Sequence, residues 1–463
     1  MKIRVQVCCV PEAGDETCHE VLALERTALA METLGLTLEE GKALLHGIQE
    51  CIVAEQVAED LKWRRCCSDC GTRHASKGQG SLSVQTVFGV VAVPNPRWHR
   101  CACQSTGPKT FRPTTTWLTG QTSPELQNLE TRWGSLIPYA KVAALLKDVL
   151  PVAETLSAEA VRGTLQATAE RLEHDLGEES ASLLAGSEDE WAQQPPPDGP
   201  MTVGLDGGFV RATGKAGWFE VIAGKSVVAF RRADEREVPS AKCFGFVQTY
   251  DPKPRRHLWE VLKSQGMQEN QEVVFLSDGG DSVRKLQAYL HPFSEHLIDW
   301  FHITMRLTVL QQQAKTVRAE QPALGEELAE RLIGVEHLLW HGNSAEALER
   351  LASLFIDLDL LATRSAATEK LGASIGEFTS YIRNNVDFIP NFGERYRQGD
   401  TITTAFVEST INQVVSKRFV KKQQMQWTPR GAHLLLQTRT KVLNNDLDDA
   451  FRRWYPQFRA RAA

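Results

Sequence analysis

From Met201 to Asp278 the apolar positions fall into short β-like runs divided by turn residues. The first, Thr202-Val203-Gly204-Leu205, ends in Asp206-Gly207-Gly208, and two more follow, Trp218 to Phe230 and Cys243 to Thr249. The rhythm then changes: Leu258, Val261 and Leu262 recur at helical spacing and predict a helix over about Pro254 to Gln265. Glu272-Val273-Val274-Phe275-Leu276-Ser277 predicts a fourth strand that runs into Asp278-Gly279-Gly280. Asp281 to Leu290 reads as a helix, and His296-Leu297-Ile298-Asp299 as a fifth strand ending in Trp300-Phe301-His302. Helical patterning covers about Arg306 to Arg383 and returns over Thr404 to Gln413, so the helical block reads as an insertion before a late helix.

Upstream, Glu20 to Lys62 predicts two or three amphipathic helices, broken at Leu34-Gly35-Leu36 and restarted by Thr37 as an N-cap. Pro124 opens another helix. Val142, Leu145, Leu146 and Val149 share a face of a second over Tyr139 to Leu150, Pro151 stops it, and Ser157 caps a third over Ala158 to Leu172. This arrangement is compatible with a helix-turn-helix and equally with any three-helix bundle. Gln193 to Pro200 reads as a stiff polar linker. The expected organisation is multidomain α/β: a helical region over 1–61, a cysteine-rich module over 62–112, a helix-turn-helix-like region over 113–185 and a Pro-rich linker over 186–200. Then come a mixed-sheet core over 201–305 and 387–440, its helical insertion over 306–386, and a basic C-terminal tail over 441–463.

Asp206 and Asp278 each close an apolar run, and each precedes two glycines. Three strands, a helix and a fourth strand, with an aspartate ending the first and the fourth, resemble the order of a ribonuclease H-like core, in which those two strands lie side by side. Hard divalent cations seek carboxylate oxygen, and phosphodiester chemistry uses two of them about 3.5–4 Å apart, so the paired aspartates point to shared Mg²⁺. Glu408, set beside Asn412 by helical spacing, supplies a third carboxylate; Glu394 competes from an expected loop after Pro390-Asn391-Phe392-Gly393. Asp299 is a rival ligand and His302 a rival proton carrier. The reading we favour is that Asp299 caps the following helix and His302 packs beneath the site.

Cys66-Cys67-Ser68-Asp69-Cys70-Gly71 and, after two β-like runs, His99-Arg100-Cys101-Ala102-Cys103 make a zinc-ribbon pattern. The best ligand set for a structural Zn²⁺ is Cys67, Cys70, Cys101 and Cys103. Cys66 is an alternative to Cys67, and His74 and His99 are possible substitutes. A module so poor in apolar residues draws folding free energy from its metal.

Composition alters the picture mainly through charge. The 463 residues are 42% hydrophobic and 24% charged, ordinary for a globular protein, and no apolar window is long enough for a membrane span. The polar N-terminus and the ten cysteines are read as those of a cytoplasmic protein whose cysteines are thiols or metal ligands. Net charge is −6, yet Lys62 to Arg112 carries a local balance of +8, and Ser409 to Ala463 carries another +8. Two basic blocks on an acidic chain suggest two surfaces for polyanions. Lys417, Arg418, Lys421 and Lys422, just past Glu408, are placed to hold phosphate, and Arg64, Arg65, Arg97 and Arg100 flank the cysteines; such contacts weaken steeply with salt. Trp427 either stacks on an unpaired base or packs in the core, and the core is favoured.

Together, Leu205-Asp206-Gly207-Gly208, Leu276-Ser277-Asp278-Gly279, Asp299-Trp300-Phe301-His302, Val407-Glu408-Ser409 and Met425-Gln426-Trp427-Thr428-Pro429-Arg430-Gly431-Ala432-His433 resemble bacterial insertion-sequence transposases with an Asp-Asp-Glu core, most of all the ISKra group. The resemblance takes in the cysteine knuckles and most of the chain after about Glu20. It implies a metal triad of Asp206, Asp278 and Glu408 holding two Mg²⁺, with Mn²⁺ a possible substitute, and strand cleavage followed by strand transfer. The implied partner is double-stranded DNA, both element ends and target, bound by a homo-oligomer because two ends are held at once; no membrane is involved. Asp281 and Asp299 stay open as replacements for Asp278. Two other readings are a transposase-derived DNA-binding regulator with an inert core, against which all three carboxylates stand, and a nuclease of the same fold that cuts without joining.

Overall fold

The computed structural model describes residues 1–10, 15–103, 107–180, 183–197, 199–214, 217–228, 241–280, 294–420 and 425–459. The chain forms two compact units, Met1–Ala169 with Asp446–Ala463, and Glu170–Asn445.

In the first unit β1 (Lys2–Cys9) and β2 (Thr17–Glu25) pair as an antiparallel hairpin. The helical region expected over 1–61 is corrected accordingly. Val5 and Val7 on one strand, like Leu22 and Leu24 on the other, are half-buried at a spacing of two, which suits a strand with one covered face. Cys8 and Cys18 face each other in register and form a disulfide, so these two are not the thiols expected. A single helix, α1 (Leu38–Trp63), follows, and Thr37 caps it as expected. Its hydroxyl accepts from Glu40 N–H at 3.3 Å while Thr37 N–H donates to Glu40 Oε2 at 2.9 Å, a reciprocal capping box.

Five short strands come next: β3 (Ser76–Gly78), β4 (Ser81–Thr86), β5 (Gly89–Pro94), β6 (Arg97–His99) and β7 (Thr110–Phe111). The third, sixth and seventh form one small sheet, while β4 and β5 form a hairpin whose Val84, Val91 and Val93 pack on Val57 of α1. Three helices follow, α2 (Pro124–Leu136), α3 (Tyr139–Val149) and α4 (Ala158–Asp175), starting where Pro124, Tyr139 and Ser157 predict. Leu126, Val142, Leu146 and Val161 form their core, but Leu145 and Val149 of the expected apolar face remain exposed.

The second unit begins with a correction to the linker. Ser187 caps a short helix, α5 (Glu188–Ala192), which buries Trp191. Beyond it Asn270 Nδ2 donates to the carbonyls of Gln194 and Pro195 and Gln271 Nε2 to that of Gly199, so the segment is pinned to the sheet-bearing unit. Strands β8 (Met201–Arg211), β9 (Trp218–Val228), β10 (Ala241–Val247), β11 (Val273–Ser277) and β12 (Ser294–Ile298) form one sheet in the order β10-β9-β8-β11-β12, with α6 (Pro254–Ser264) between β10 and β11. The first three strands are antiparallel; β8, β11 and β12 run parallel. Both faces are covered, which is why the parallel strands read as continuous apolar runs. Met201, Val203, Leu205, Val273 and Phe275 face Leu258 and Leu262 of α6.

Four helices leave the end of β12: α7 (Trp300–Glu320), α8 (Pro322–Trp340), α9 (Ser344–Asp359) and α10 (Ala366–Asn384). They share a core that includes Leu332, Leu351 and Ile375. The helical insertion therefore starts at Trp300 rather than 306. Glu394, expected in a loop, lies in α11 (Phe392–Gln398), capped by Asn391. Then come α12 (Ala405–Ile411), a π-helical continuation over Asn412–Val420, and α13 (Pro429–Leu443). The expected basic tail is corrected to the end of α13 and a further helix, α14 (Leu447–Trp454). Leu447, Ala450 and Phe451 of α14 recur at helical spacing and are buried in the first unit. The helix expected over Asp281 to Leu290 lies outside the described residues.

On the sheet face opposite α6, α12 approaches β8 at Gly204. A Cβ there would meet Val407 Cγ2 at 2.0 Å and Phe406 Cζ at 2.8 Å, and Val274, Leu276 and Leu297 pack with Phe406 beside it. Only a residue without a side chain allows that approach. Gly204→Ala is expected to cost about 1–3 kcal/mol through overpacking, read as a lower denaturant midpoint; an unchanged midpoint would show that α12 is not seated this tightly.

Candidate active site and metal centres

The side chains of a strand alternate between faces, so Gly204, Asp206 and Gly208 share the α12 face of β8. By the same count Val274, Leu276 and Asp278 share it on β11 and its end, and Leu297 and Asp299 on β12 and its end. The parallel register pairs Gly204 with Leu276 and Ser277 with Ile298. Extending it past the strand ends sets Asp206 level with Asp278 and Asp278 level with Asp299. Three aspartates thus sit on one face, side by side across neighbouring strands. They are not among the groups of described residues whose ligand atoms all lie within 4.8 Å of one another.

Their surroundings differ. Asp206 Oδ1 accepts from Gly207 N–H at 2.8 Å. Burial pushes its carboxyl above the usual 3.8; the Gly207 N–H and the His302 imidazole pull it down, while the charges of Asp278 and Asp299 push it further up. Asp278 Oδ1 accepts from Gly280 N–H at 3.0 Å, an Asx turn that needs the left-handed Gly279 (φ +88°) between them. Tyr381 donates its hydroxyl to the Asp278 carbonyl at 3.1 Å, and Arg306 lies 4.3 Å over the Tyr381 ring.

Asp299 is fully buried and engaged on both oxygens. Oδ1 accepts from Phe301 N–H at 2.8 Å, and Oδ2 from the Thr404 hydroxyl and from His302 Nδ1, the latter at 2.9 Å. It is the N-cap of α7, as favoured from the sequence. The bond to Asp299 raises His302, with burial opposing it and the Asp299, Asp278 and Asp206 charges adding to it. Thr404 was not foreseen, since only the fold sets it against Asp299. Asp281 lies outside the described residues. The backbone of Glu408 belongs to α12, on the face of β8 that bears Asp206; its side chain lies outside what is described. Below it the π-helical carbonyl of Val414 accepts from buried Arg439 Nε at 2.9 Å.

No family model matches the chain, and no match is found among curated proteins.

The cysteine module brings together the expected four ligands. Cys67 lies 3.5 Å from Cys103, Cys70 3.1 Å from Cys101, and Cys103 3.4 Å from Cys70 and 3.2 Å from Cys101, all between sulfurs. Those spacings fall somewhat inside the ~3.8 Å edge of a tetrahedron with Zn–S bonds of about 2.3 Å. The group could hold zinc. Thr72 and Cys101 help hold Cys70 down to about 6, while Cys101, Cys70 and Cys67 push Cys103 up, a conflict that a cation would relieve. Cys66 is exposed, in an isolated bridge with Arg73, and lies outside the group; buried His74 is bonded through Nδ1 to the His99 carbonyl at 3.0 Å.

The basic residues fare unevenly. Lys417 is exposed. Arg418 is corrected: it is buried, with its guanidinium 5.3 Å over the Trp427 ring, because the indole gives the planar cation a flat apolar partner. Trp427 packs in the core against Phe419 at 4.9 Å. Lys421 and Lys422 lie outside the described residues. Arg64 pairs with Asp60 at 2.6 Å, and Arg65 lies 4.7 Å over the Trp98 ring. One further cluster was not foreseen: Glu173, the nearby pair Asp251 and His257, and His433 converge from three distant segments, and only His433 stood in a motif singled out from the sequence.

Among the described residues no helix is long and apolar enough to cross a membrane.

Two outcomes follow from the site. Because Asp206 is raised in the fold, its neutral form is favoured; the stability it contributes is complete below 3.8 and is lost as pH rises through the raised value. Metal-free Asp206→Asn is therefore expected to melt above the wild type at neutral pH, with the gap closing as pH falls toward 3.8. In the cysteine module, Cys67→Ser with Cys101→Ser is expected to lose one zinc per chain by elemental analysis and to lose ordered structure locally, since the metal contributes folding free energy. Equal zinc content in variant and wild type would rule the site out.

Proposed function

We propose that the chain is an insertion-sequence transposase of the Asp-Asp-Glu type, most like the ISKra group, with a ribonuclease H-like core that cuts element ends and joins them to target DNA. The observation that carries the reading is the level placement of Asp206 and Asp278 on adjacent parallel strands, with the backbone of Glu408 in the helix against the same face. Sheet order supports it: three antiparallel strands, a helix, then two parallel strands with the fourth beside the first.

Asp206, Asp278 and Glu408 would hold the divalent ions. Bound there, Mg²⁺ or Mn²⁺ supplies activation of the attacking oxygen and stabilisation of the leaving one. Like charges on neighbouring strands, both partly buried, make the site costly without a cation, and this suits the residues to that role. Asp299 is the weaker ligand candidate because both its oxygens are already bonded. It positions His302 and ties Thr404, just ahead of α12, to the end of β12. Gly208 lets Ile411 and Val415 pack against β8 beside Asp206. Lys417 and the basic face of the cysteine module are our candidates for phosphate contacts, and the three helices after that module for contact with double-stranded DNA. Because two element ends react together, the working form is a homo-oligomer on DNA.

Incubation of the full chain with labelled element-end DNA and Mg²⁺ tests the reading. Wild type is expected to give both cut and joined products. Asp206→Asn, Asp278→Asn and Glu408→Gln should each fall below roughly one per cent of that activity while still shifting the DNA. Cutting without joining would replace the transposase by a nuclease, a shift without cutting by a regulator, and a fully active Asp206→Asn would remove the triad.

A further inference from the structure

Away from the aspartates, four side chains meet in the sheet-bearing unit. Glu173 lies near the C-terminal end of α4, Asp251 in the turn after β10, His257 in α6 and His433 in α13. Asp251 and His433 are almost wholly buried, and His257 is nine-tenths buried. One ligand atom from each lies within 4.8 Å of those of the others. His257 Nε2 is 3.2 Å from Asp251 Oδ2 and 3.3 Å from Glu173 Oε1, and His433 Nε2 is 3.2 Å from the same glutamate oxygen. Buried His257 Nε2 and Asp251 Oδ2 nevertheless have no partner with the angles of a hydrogen bond. His433 Nε2 lines up with Glu173 Oε1 as a hydrogen bond, whereas His257 Nε2 and Asp251 Oδ2, so close without lining up for a shared proton, are placed as if around a common centre. A tetrahedron with bonds of about 2.0–2.1 Å, usual for zinc to imidazole or carboxylate, has edges of about 3.3–3.4 Å, and the three contacts, at 3.2–3.3 Å, lie at or just under that length.

We propose that Glu173, Asp251, His257 and His433 form a closed site for a divalent transition-metal ion, zinc being the best fit. Two carboxylates and two neutral imidazoles are neutralised by one such ion, and four protein ligands leave no open position, the form of a structural rather than a catalytic site. Asp251 is already oriented for the task, since its other oxygen accepts from Lys253 N–H at 2.7 Å. The ion would tie α6 and α13 to the turn after edge strand β10. The competing account is a proton-only network: burial pulls His257 down, and the Asp251 and Glu173 carboxylates outweigh it and raise it to about 9.

The proposal stands apart from the transposase reading and is tested without it. Full-length protein loaded with Zn²⁺ and desalted is expected to retain about two ions per chain, one at the cysteines and one here. His257→Gln and Glu173→Gln should each lose one of the two, and Cys67→Ser with Cys101→Ser the other. Loading with Co²⁺ provides a check that needs no variant. Thiolate-to-cobalt charge-transfer absorbance should accompany only half of the bound cobalt, the rest showing the d–d bands of nitrogen and oxygen ligands. One ion per chain, all of it thiolate-bound, would overturn the site and leave the proton network; so would two ions per chain in both His257→Gln and Glu173→Gln.

Discussion

Hydrogen bonding between β8 and β11 is the constraint on which the site depends. The two strands run parallel and in a register that pairs Val273 with Met201 and Leu276 with Gly204, so the residues just past the pairing, Asp206 and Asp278, finish at one height. A shift by one residue would turn either aspartate to the α6 face, among Leu258 and Leu262, where a carboxylate has no partner. The apolar residues hold that register. Met201, Val203, Leu205 and Phe275 fill one face, and Val274, Leu276 and Leu297 the other, so sliding would expose or crowd both faces together.

A second contact turns this strand pair into a site. Gly204 lets α12 approach β8, and Val407 and Phe406 fill the place its side chain would have occupied. The helix is also tied at its start, because Thr404 donates to Asp299 and Trp300 N–H donates to the Ile402 carbonyl at 3.0 Å. Asp299 therefore joins the end of β12, the first turn of the helical insertion and the approach to α12. Its burial is sustained by three donors rather than by a metal, as expected of a buried carboxylate.

Crowded ionisable side chains recur among the described residues. The level aspartates oppose one another, Cys70 and Cys103 of the cysteine module are pushed in opposite directions, and two carboxylates close on two imidazoles near β10. At the cysteines, whose four thiols come from two separate segments, a bound cation would relieve that conflict, so metal binding there would be coupled to folding.

The sequence by itself determined the local elements. Apolar β-rich runs bounded by turn residues marked β8 to β12, Pro124 marked α2, helical spacing marked α3, α6 and the insertion, and Thr37, Ser157 and Asp299 announced their caps, because each signal needs only a few neighbouring residues. Cys-x-x-Cys and the second cysteine pair were legible for the same reason: two short ligand pairs define most of a tetrahedron. The hairpin of β1 and β2 was read as helix because its apolar residues are few and its faces half-exposed, which leaves the period weak. Tertiary structure alone decided that Arg418 turns inward onto Trp427, that Thr404 meets Asp299, and that Glu173, Asp251, His257 and His433 share one buried point. Thr404 and Asp299, and Glu173 and His433 with the Asp251–His257 pair, lie far apart in the chain, and even the nearer Arg418 and Trp427 meet through packing and burial, which no local period records.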